Sequence, residues 1–371
     1  MKTAGIIAEY NPFHKGHEYH INMTRDLTGA EGIVAVISGN FVQRGEAAVC
    51  DKYERTQMAL MGGADLVVEL PCVYSCQSAE FFAKGGVGIL EKLGCDYISF
   101  GMESEDLSEL VKIADQIKKP DENFKNKLSD ALKDGISYPK ALAKALGTDV
   151  VDTPNNVLAI EYLKAIESLK PIGIRRKGSF HDQPGSASDV RERFGKGEDI
   201  ASLVPTYTAD VLKTQKIPDR HVYESLVLYK LRTMTAEEIS RLPDVTEGLE
   251  NRIKEGALCC TTYDELCEYV KTKRYTMARI RRIFVNALLG ITKDDLNVSP
   301  QYIRVLGMNK TGMKILADLK DKTEIPIITK TADAKVCRML EVDIMASDIY
   351  ALLTGSKALA DYTNSPIIIK D

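Results

Sequence analysis

Two histidines near the start of the chain have the types and spacing of a phosphate-binding turn. His14 and His17 flank Gly16 in the stretch NPFHKGH, which directly follows an apolar run. The apolar run predicts a strand, the Asn11-Pro12 pair predicts a tight turn, and the residues after His14 predict the start of a helix. A phosphate at such a turn would meet free backbone N–H groups, imidazole donors and a glycine without a side chain. We therefore expect this turn to bind ATP.

Two plainer explanations compete with phosphate binding. Together with His20, the histidines could form a metal cluster, but positions i, i+3 and i+6 of a helix do not share one face. The histidines could also be polar residues that merely open a helix. The order of strand, turn and helix around them is the context that a phosphate-binding motif requires. We therefore prefer the phosphate hypothesis and expect no metal site.

The composition is ordinary for a globular protein. The chain has 371 residues, of which 44% are hydrophobic and 27% charged, and its formal net charge is −4. This length predicts two or three domains, and the acidic balance means that any RNA contact needs a local basic patch. Eight scattered cysteines without a CxxC pair predict buried, reduced thiols. We find no signal peptide or membrane span in the sequence and expect a cytosolic protein.

Strands and helices alternate in the first half of the chain. Apolar runs predict strands at 32–38, 64–71 and 97–101, and the segments between them predict helices at 18–27, 51–61 and 78–93. This alternation predicts right-handed βαβ crossovers and an open parallel sheet. Ligands of such sheets bind at the carboxyl ends of the strands, where residues 14–17, a predicted polar loop at 39–45 and residues 101–103 would converge.

Further candidates for the nucleotide site follow between residues 150 and 195. Asn155 lies at a predicted helix start, where it could cap the helix or donate amide hydrogens to a ligand. Arg175 and Arg176 end a fifth predicted strand. Ser188 could cap the next helix. Arg191 could bind phosphate in bidentate fashion, through two of the guanidinium nitrogens.

Beyond residue 195 the alternation stops, and amphipathic segments predict an all-α domain. Residues 271–284 are predicted as one helix with an apolar face and an opposite basic face. A charged face usually just meets water, which is the plain alternative. The stretch contains no acidic residue although the chain is acidic overall, and this favours the binding of nucleic-acid phosphates.

These patterns predict three regions. Residues 1–195 form a Rossmann-like α/β domain with a parallel sheet, and residues 196–298 form an all-α domain. Residues 299–371 form a small mixed α/β segment, which could pack on the first domain. The residues of this last segment do not indicate its chemistry.

Eight sequence motifs occur along the chain. They are NPFHKGH, SGNFVQRGE at 38–46, GADLVVELP at 63–71, FGMES at 100–104, PNN at 154–156, FHD at 180–182, TKRYTMARIRR at 272–282 and YIRVLGM at 302–308. With these motifs in this order, the chain strongly resembles the bacterial tRNA(Met) cytidine acetate ligases nearly from end to end, whereas HxGH alone is common to nucleotidyltransferases of the class I aminoacyl-tRNA synthetase type. The resemblance implies a HIGH-type nucleotidyltransferase fold for the first domain.

The resemblance implies a ligase that works in two steps. Acetate attacks the α-phosphate of ATP to give acetyl-adenylate and pyrophosphate. The acetyl group then passes to N4 of the wobble cytidine of elongator tRNA(Met), which forms N4-acetylcytidine. ATP is the implied co-substrate, together with Mg²⁺, for which the sequence shows no dedicated carboxylate cage. Acetate and elongator tRNA(Met) are the implied partners, and we expect no membrane and no obligate protein partner.

The resemblance also implies roles for individual residues. His14 and His17 would bind the phosphates and stabilise the transition state of adenylation. The implied ATP-binding residues are Ile7, Ala8, Glu9, Tyr10, Asn11, Pro12, Phe13, His14, Lys15, Gly16, His17, Glu18, Tyr19, His20, Gly101, Asn155 and one of Arg175 and Arg176. Ser188 and Arg191 would hold the departing pyrophosphate. The implied tRNA-binding residues are Lys271, Lys273, Arg274, Arg279, Arg281 and Arg282.

Two other functions fit parts of the sequence. A small-molecule nucleotidyltransferase, which transfers adenylate to a phosphorylated vitamin precursor, would explain the first domain but leave the basic stretch idle. An RNA-binding protein gated by a nucleotide, without catalysis, would use both regions.

Overall fold

The computed structural model describes residues 1–136, 138–175, 186–246, 248–273, 275–319 and 322–370, without the side chains of Pro139 and Asp152. Its strands are β1 (Thr3–Ala8), β2 (Gly32–Ser38), β3 (Phe41–Val42), β4 (Glu46–Ala47), β5 (Leu66–Leu70), β6 (Tyr97–Met102), β7 (Lys170–Arg175), β8 (Ile303–Met308), β9 (Ile327–Ile328) and β10 (Ile367–Ile368).

The helices of the described residues fall into two groups. Those that accompany the first seven strands are α1 (Lys15–Thr28), α2 (Lys52–Met61), α3 (Cys72–Ser75), α4 (Ala79–Lys92), α5 (Leu107–Lys118), α6 (Glu122–Lys133), α7 (Tyr138–Leu146), α8 (Pro154–Ala165) and α9 (Ala187–Gly195). Those that follow are α10 (Thr206–Thr214), α11 (Arg220–Thr233), α12 (Ala236–Ser240), α13 (Leu249–Cys259), α14 (Tyr263–Val270), α15 (Met277–Leu289), α16 (Lys310–Leu319), α17 (Arg338–Thr354) and α18 (Ala360–Thr363).

A single large sheet lies at the centre of the fold, with strand order β10-β8-β5-β2-β1-β6-β7 and β9 beside β8. The strands β5, β2, β1, β6 and β7 are parallel to one another. β8 pairs antiparallel with β5 and parallel with both β9 and β10. The predicted parallel sheet is therefore confirmed for these five neighbouring strands, and the C-terminal segment adds three strands of opposite direction beside β5.

Helices cover both faces of this sheet. Ile6 and Ile33 belong to a buried cluster that includes residues of α1 and α2, whereas Ile7 and Val34 belong to a second cluster with residues of α4 and α8. Successive side chains of a strand point to opposite faces, so a strand covered on both sides must be apolar throughout. This explains the continuous apolar run of β2.

The segment predicted as a polar loop contains a short hairpin instead. β3 and β4 pair antiparallel, and we call residues 41–47 the hairpin. Phe41 and Val42 are completely buried, and the Phe41 ring meets that of Tyr350 edge-on with centroids 6.4 Å apart. The loop prediction was wrong because Phe41 packs on α17, a helix from the other end of the chain.

The basic helix is shorter than predicted, since α15 begins at Met277. Thr276 is its N-cap, and the Thr276 hydroxyl accepts the backbone N–H of Arg279 at 3.4 Å. Lys271 instead ends α14, where its backbone N–H donates to Cys267 O at 3.0 Å. The prediction of one helix from residue 271 was therefore wrong. The threonine is a capping signal that could have placed the boundary.

Buried charges join the C-terminal segment to the sheet. Nζ of Lys52 lies 2.8 Å from carboxylate oxygens of both Glu69 and Asp361. Arg304 of β8 contacts the same carboxylates, Asp361 at 2.9 Å and Glu69 at 3.5 Å. These four side chains are at most 4% exposed. Two cations and two anions thus neutralise one another away from water, as buried ions require.

Two further sequence predictions concern cysteines and membranes. All eight cysteines are free thiols, but Cys259 is exposed and Cys337 partly so, which contradicts the prediction of burial at these positions. Among the described residues, every helix is too short or too polar to cross a membrane.

Candidate active site

The histidine turn (residues 7–20) leads from the end of β1 into α1. Tyr10 has a left-handed backbone, with φ 47°, and the peptide bond between Asn11 and Pro12 is cis. The rings of Tyr10 and Phe13 are buried and meet edge-on at 5.0 Å. Phe13 also packs on Gly62, where any side chain would overlap its ring. These aromatic anchors hold the backbone that carries the two histidines.

His14 and His17 bind the backbone of the turn through the same ring atom. Nδ1 of His14, the N-cap of α1, accepts the N–H of Gly16 at 3.0 Å, and Nδ1 of His17 accepts the N–H of His14 at 3.2 Å. Their rings are stacked with centroids 3.7 Å apart. In a neutral imidazole whose Nδ1 accepts a hydrogen bond, Nε2 carries the hydrogen. The turn thus provides two imidazole N–H donors beside the start of a helix.

His20 is directed away from this pair. Its Nε2 lies 2.9 Å from the Ser99 hydroxyl of β6, and Thr24 donates to the same hydroxyl at 2.7 Å. In the part of the chain that the structure describes, no three His, Cys, Asp or Glu residues are grouped in a way that could hold a metal ion.

Arg55 fixes the backbone at the carboxyl ends of β1 and β2. Its side chain is fully buried and donates to the carbonyls of Glu9 at 2.7 Å, Ser38 at 2.9 Å and Cys50 at 3.1 Å, and also to that of Gly39. The planar guanidinium has five N–H donors in fixed directions, so it can bind several carbonyls at once. Arg55 therefore sets the position of the histidine turn relative to the loop after β2.

The histidine turn is also hydrogen-bonded to the hairpin and to α9. The Asn11 side chain accepts the N–H of Val49 at 2.8 Å, and its backbone carbonyl accepts from Nη1 of Arg191 at 2.7 Å. The Glu9 carboxylate accepts the N–H of Gln43 at 3.0 Å. The three segments therefore form one rigid rim at this end of the sheet.

Two guanidinium groups meet on this rim at one hydroxyl. Nη1 of Arg44 lies 3.2 Å from Ser188 Oγ, and Nη2 of Arg191 lies 3.4 Å from the same oxygen. Glu46 is near, with Oε1 3.8 Å from Nε of Arg191. Burial lowers the pKa of Arg191, although the Glu46 carboxylate opposes this. Burial raises the pKa of Glu9, and the two arginines oppose that shift.

The predicted cap of α9 is off by two residues. The hydroxyl of Ser186 accepts the N–H of Asp189 at 3.2 Å and makes Ser186 the N-cap. Ser188 lies inside the first turn, so the prediction that it caps the helix was wrong. Its hydroxyl is instead directed to the two arginines.

Asn155 lies within α8 and does not cap it, because the helix begins at Pro154 after Thr153 as the N-cap. The Asn155 amide donates to the carboxylate of Glu103, which follows β6. The next residue, Asn156, accepts the backbone N–H of Glu103 at 2.8 Å. The cap interpretation was therefore wrong, and these amides order the loop after β6.

Gly101 and Arg175 lie at the carboxyl ends of the neighbouring strands β6 and β7. The Arg175 guanidinium is exposed and pairs with Glu105 at 2.8 Å. Arg176 and the FHD motif at 180–182 lie outside the described residues, so the choice between Arg175 and Arg176 stays open.

Part of the predicted basic face is occupied by contacts within the protein. Lys271 pairs with Glu268 at 3.2 Å. Arg279 donates twice to the backbone carbonyl of Asp244, at 2.6 and 3.1 Å. Arg282 pairs with the Asp244 carboxylate at 3.3 Å, its side chain is 15% exposed, and burial lowers its pKa. The prediction of a fully outward basic face was therefore wrong at Arg282.

Two other basic residues of the predicted set are at least partly exposed. Lys273 is exposed and Arg281 is partly exposed, whereas Arg274 lies outside the described residues. The absence of acidic residues within 271–284 did not exclude a partner such as Asp244 from another segment.

The tip of the hairpin lies directly on α15. Gly45 has φ 76°, and a side chain there would overlap the backbone of Arg281 and Arg282. The Tyr223 hydroxyl of α11 donates to the Gly45 carbonyl at 3.2 Å. The hairpin thus connects the histidine turn to the helix that carries Arg281.

Sequence reasoning missed Arg55, and it placed Arg44 and Gly45 near the site only as part of the predicted loop at 39–45. Arg55 lies in the middle of a predicted helix and gives no local signal. Arg44 stood out only as a lone arginine in a loop, and Gly45 after it is a turn signal that could have predicted the hairpin.

Comparisons with known proteins show the family of the chain. A family model described as HIGH Nucleotidyl Transferase matches residues 1–364. The tRNA(Met) cytidine acetate ligase of a Thermoanaerobacter species is 41% identical over 97% of both chains. That of Clostridium kluyveri is 40% identical over 100% of this chain and 99% of its own.

Two solved structures of Thermotoga maritima TmcAL have the same fold over the whole of both chains. The apo form superposes with a TM-score of 0.93 at 28% identity. The form bound with alpha-thio ATP superposes with a TM-score of 0.92 at 29% identity.

Proposed function

The chain belongs to the tRNA(Met) cytidine acetate ligase family of HIGH nucleotidyl transferases, and we propose that it acetylates N4 of the wobble cytidine of elongator tRNA(Met) with ATP and acetate. The observation that carries the proposal is the stacked pair of His14 and His17 at the capped start of α1. The family relative bound with alpha-thio ATP supports the same use of this fold.

The first step forms acetyl-adenylate. A carboxylate oxygen of acetate attacks the α-phosphorus, the bond from that phosphorus to the bridging oxygen breaks, and pyrophosphate leaves. Negative charge increases on the phosphate oxygens, so fixed donors lower the barrier more than a protein nucleophile would. His14 and His17 supply Nε2–H donors, and the N–H groups of the first turn of α1 add the partial positive charge of a helix start.

The other implied residues surround that step. Residues 7–20 would contact ATP, together with Gly101, Asn155 and one of Arg175 and Arg176. Ser188 and Arg191 would hold pyrophosphate. The described residues offer no carboxylate cage, so Mg²⁺ would be carried mainly by the phosphates of ATP and would offset their charge.

The second step transfers the acetyl group to RNA. The N4 amine attacks the acetyl carbonyl, the bond to the AMP oxygen breaks, and the amine loses a proton. Lys273 and Arg281 would bind phosphates of the tRNA without reading its sequence. The contact of Gly45 with the backbone of Arg281 supports this assignment, because it joins the RNA-binding helix to the rim of the ATP site.

A single labelling experiment tests the function. The protein is incubated with ATP, labelled acetate and unmodified elongator tRNA(Met), and the RNA is digested to nucleosides. We expect labelled N4-acetylcytidine, and none when ATP is omitted or when the wobble cytidine is replaced by uridine. A folded protein that yields no labelled acetylcytidine would contradict the proposal, and acetate-independent transfer of adenylate to a small molecule would favour the vitamin-precursor alternative.

A further inference from the structure

Arg44 and Arg191 come from different parts of the chain and converge on one oxygen atom. Arg44 is in the turn of the hairpin and Arg191 is in α9, and their guanidinium nitrogens lie 3.2 and 3.4 Å from Ser188 Oγ. One neutral hydroxyl therefore lies between two positive charges. Like charges at this separation repel each other, so a protein places them together when an anion is to bind there.

Two carboxylates among the described residues lie near these charges. Glu46 Oε1 is 3.8 Å from Nε of Arg191, which is beyond hydrogen-bonding distance. The Glu9 carboxylate accepts the N–H of Gln43 and is desolvated by burial. The single Ser188 hydroxyl accepts from both guanidiniums, but at the long distances of 3.2 and 3.4 Å. An anion with several oxygens could accept shorter hydrogen bonds from each guanidinium.

The position of the two arginines selects the anion. Arg191 donates to the backbone carbonyl of Asn11, which places it against the histidine turn. ATP bound at that turn extends its β- and γ-phosphates away from the reacting α-phosphorus. Those phosphates carry several negative charges, which match the charges of two guanidiniums, whereas acetate carries only one negative charge.

We infer that Arg44 is a further substrate-binding residue, which together with Arg191 binds the β- and γ-phosphates of ATP and the pyrophosphate that leaves. This inference rests on the proposed function and extends it to a residue of the hairpin. Because Arg44 is adjacent to Gly45, the pyrophosphate site and the RNA-binding helix are then joined by two consecutive residues.

The test measures binding of inorganic pyrophosphate with Mg²⁺ by titration calorimetry. The variants are Arg44→Met and Arg44→Lys, and the matched control is Arg193→Met, which removes another arginine of α9 whose partner is Asp189 at 2.7 Å. We expect Arg44→Met to weaken pyrophosphate binding about tenfold or more, and Arg44→Lys about threefold or more, because an ammonium keeps the charge but loses the planar fork. Arg193→Met should stay within about twofold of the wild type.

Acetate-dependent exchange between ATP and pyrophosphate provides the second measurement. Arg44→Lys should raise the KM values for ATP and pyrophosphate and leave the KM for acetate unchanged. Wild-type pyrophosphate affinity in Arg44→Lys would overturn the inference, even if Arg44→Met fails to fold. A raised KM for acetate alone would also overturn it and assign Arg44 to the acetate carboxylate.

Pyrophosphate binding needs neither acetate nor tRNA. A wild-type protein that binds pyrophosphate through Arg44 but makes no N4-acetylcytidine would therefore contradict the proposed function and leave the role of Arg44 intact.

Discussion

The imidazole rings of His14 and His17 are stacked 3.7 Å apart, and each accepts a backbone N–H of the same turn through Nδ1. Each histidine therefore has two roles on different nitrogens: Nδ1 binds the backbone at the helix start, and Nε2 is the nitrogen that we propose donates to a phosphate. An alanine substitution removes both roles at once. A substitution that keeps the helix cap but removes the imidazole donor is needed to separate them.

Asparagine at position 14 should separate capping from catalysis. Asparagine is a good N-cap, so His14→Asn should keep the stability that His14→Ala loses, about 1 kcal/mol. Both variants lack the imidazole donor and should lose about 100-fold or more of acetyl-adenylate formation. Urea unfolding measures the first effect and acetate-dependent exchange between ATP and pyrophosphate the second.

The control for this pair is His221→Ala, at an exposed position of α11. It should change neither quantity. Recovery of activity in His14→Asn would show that the histidine is only a helix cap.

Charge reversal in α15 and just before it should have different effects at neighbouring basic residues. Arg281→Glu and Lys273→Glu should weaken tRNA binding and lower the slope of log affinity against log salt concentration by about 1 for each lost phosphate contact. Arg282→Glu should mainly destabilise the fold, because it removes the partner of partly buried Asp244 and places a second carboxylate beside it. Filter binding over a series of salt concentrations, with thermal unfolding, distinguishes the two effects. Unchanged tRNA affinity in the first two variants would mean that this surface is merely solvated.

The contact of Gly45 with α15 should make that glycine irreplaceable. Gly45→Ala adds a left-handed alanine and an overlap with the backbone of Arg281, so we expect it to cost more than the roughly 1 kcal/mol of a left-handed alanine alone. Gly29→Ala is the matched control, since Gly29 has φ 62° and its nearest neighbouring atom, Lys2 Nζ, is 4.0 Å from the added carbon. Equal losses of unfolding free energy would contradict the packing argument.

The buried carboxyl of Asp343 should make stability depend on pH. Burial, followed by the nearby Glu69, raises the pKa of Asp343 to about 7. The folded protein therefore binds this proton more tightly than the unfolded chain, whose aspartates have a pKa near about 3.9. The stability gained from the proton is complete below about pH 4, is lost as the pH rises towards 7, and does not change further above that.

Asp343→Asn isolates this contribution, since an amide can still bind the N–H of Cys72 and the Tyr302 hydroxyl. The difference in unfolding free energy between wild type and variant should fall by up to about 1.4 kcal/mol per pH unit between pH 5 and 7. A difference that is constant over this range would show that Asp343 stays ionised.

Loss of Asp361 should unfold the C-terminal edge of the sheet. Asp361→Ala leaves Lys52 and Arg304 with one carboxylate between them, and removal of one partner from a buried ion cluster costs about 3–5 kcal/mol. Glu122→Ala removes an exposed partner of Lys125 and should cost less than about 1 kcal/mol. Similar unfolding midpoints in urea for the two variants would contradict a stabilising role of the cluster.

Much of the structure of residues 1–195 was predictable because the signals there are local. Apolar runs bounded by glycine or proline marked β1, β2, β5 and β6. Their alternation with helices predicted that these strands run parallel to one another. The NPFHKGH stretch combined a turn signal with a helix start, and both are present where they were expected. Predictions that depended on a single residue were less reliable: the caps of α8 and α9 are Thr153 and Ser186, because a cap is defined by its own backbone conformation and hydrogen bond.

The sequence by itself determined the strand-turn-helix unit that carries His14 and His17, because residue type and periodicity act over a few positions. Only the tertiary structure decided which side chains meet across long distances in the chain. Asp244 forms an ion pair with Arg282, Arg55 binds four backbone carbonyls, and β8 pairs antiparallel with β5. These contacts depend on how whole elements pack and on the need to satisfy each buried charge, and no local pattern encodes that outcome.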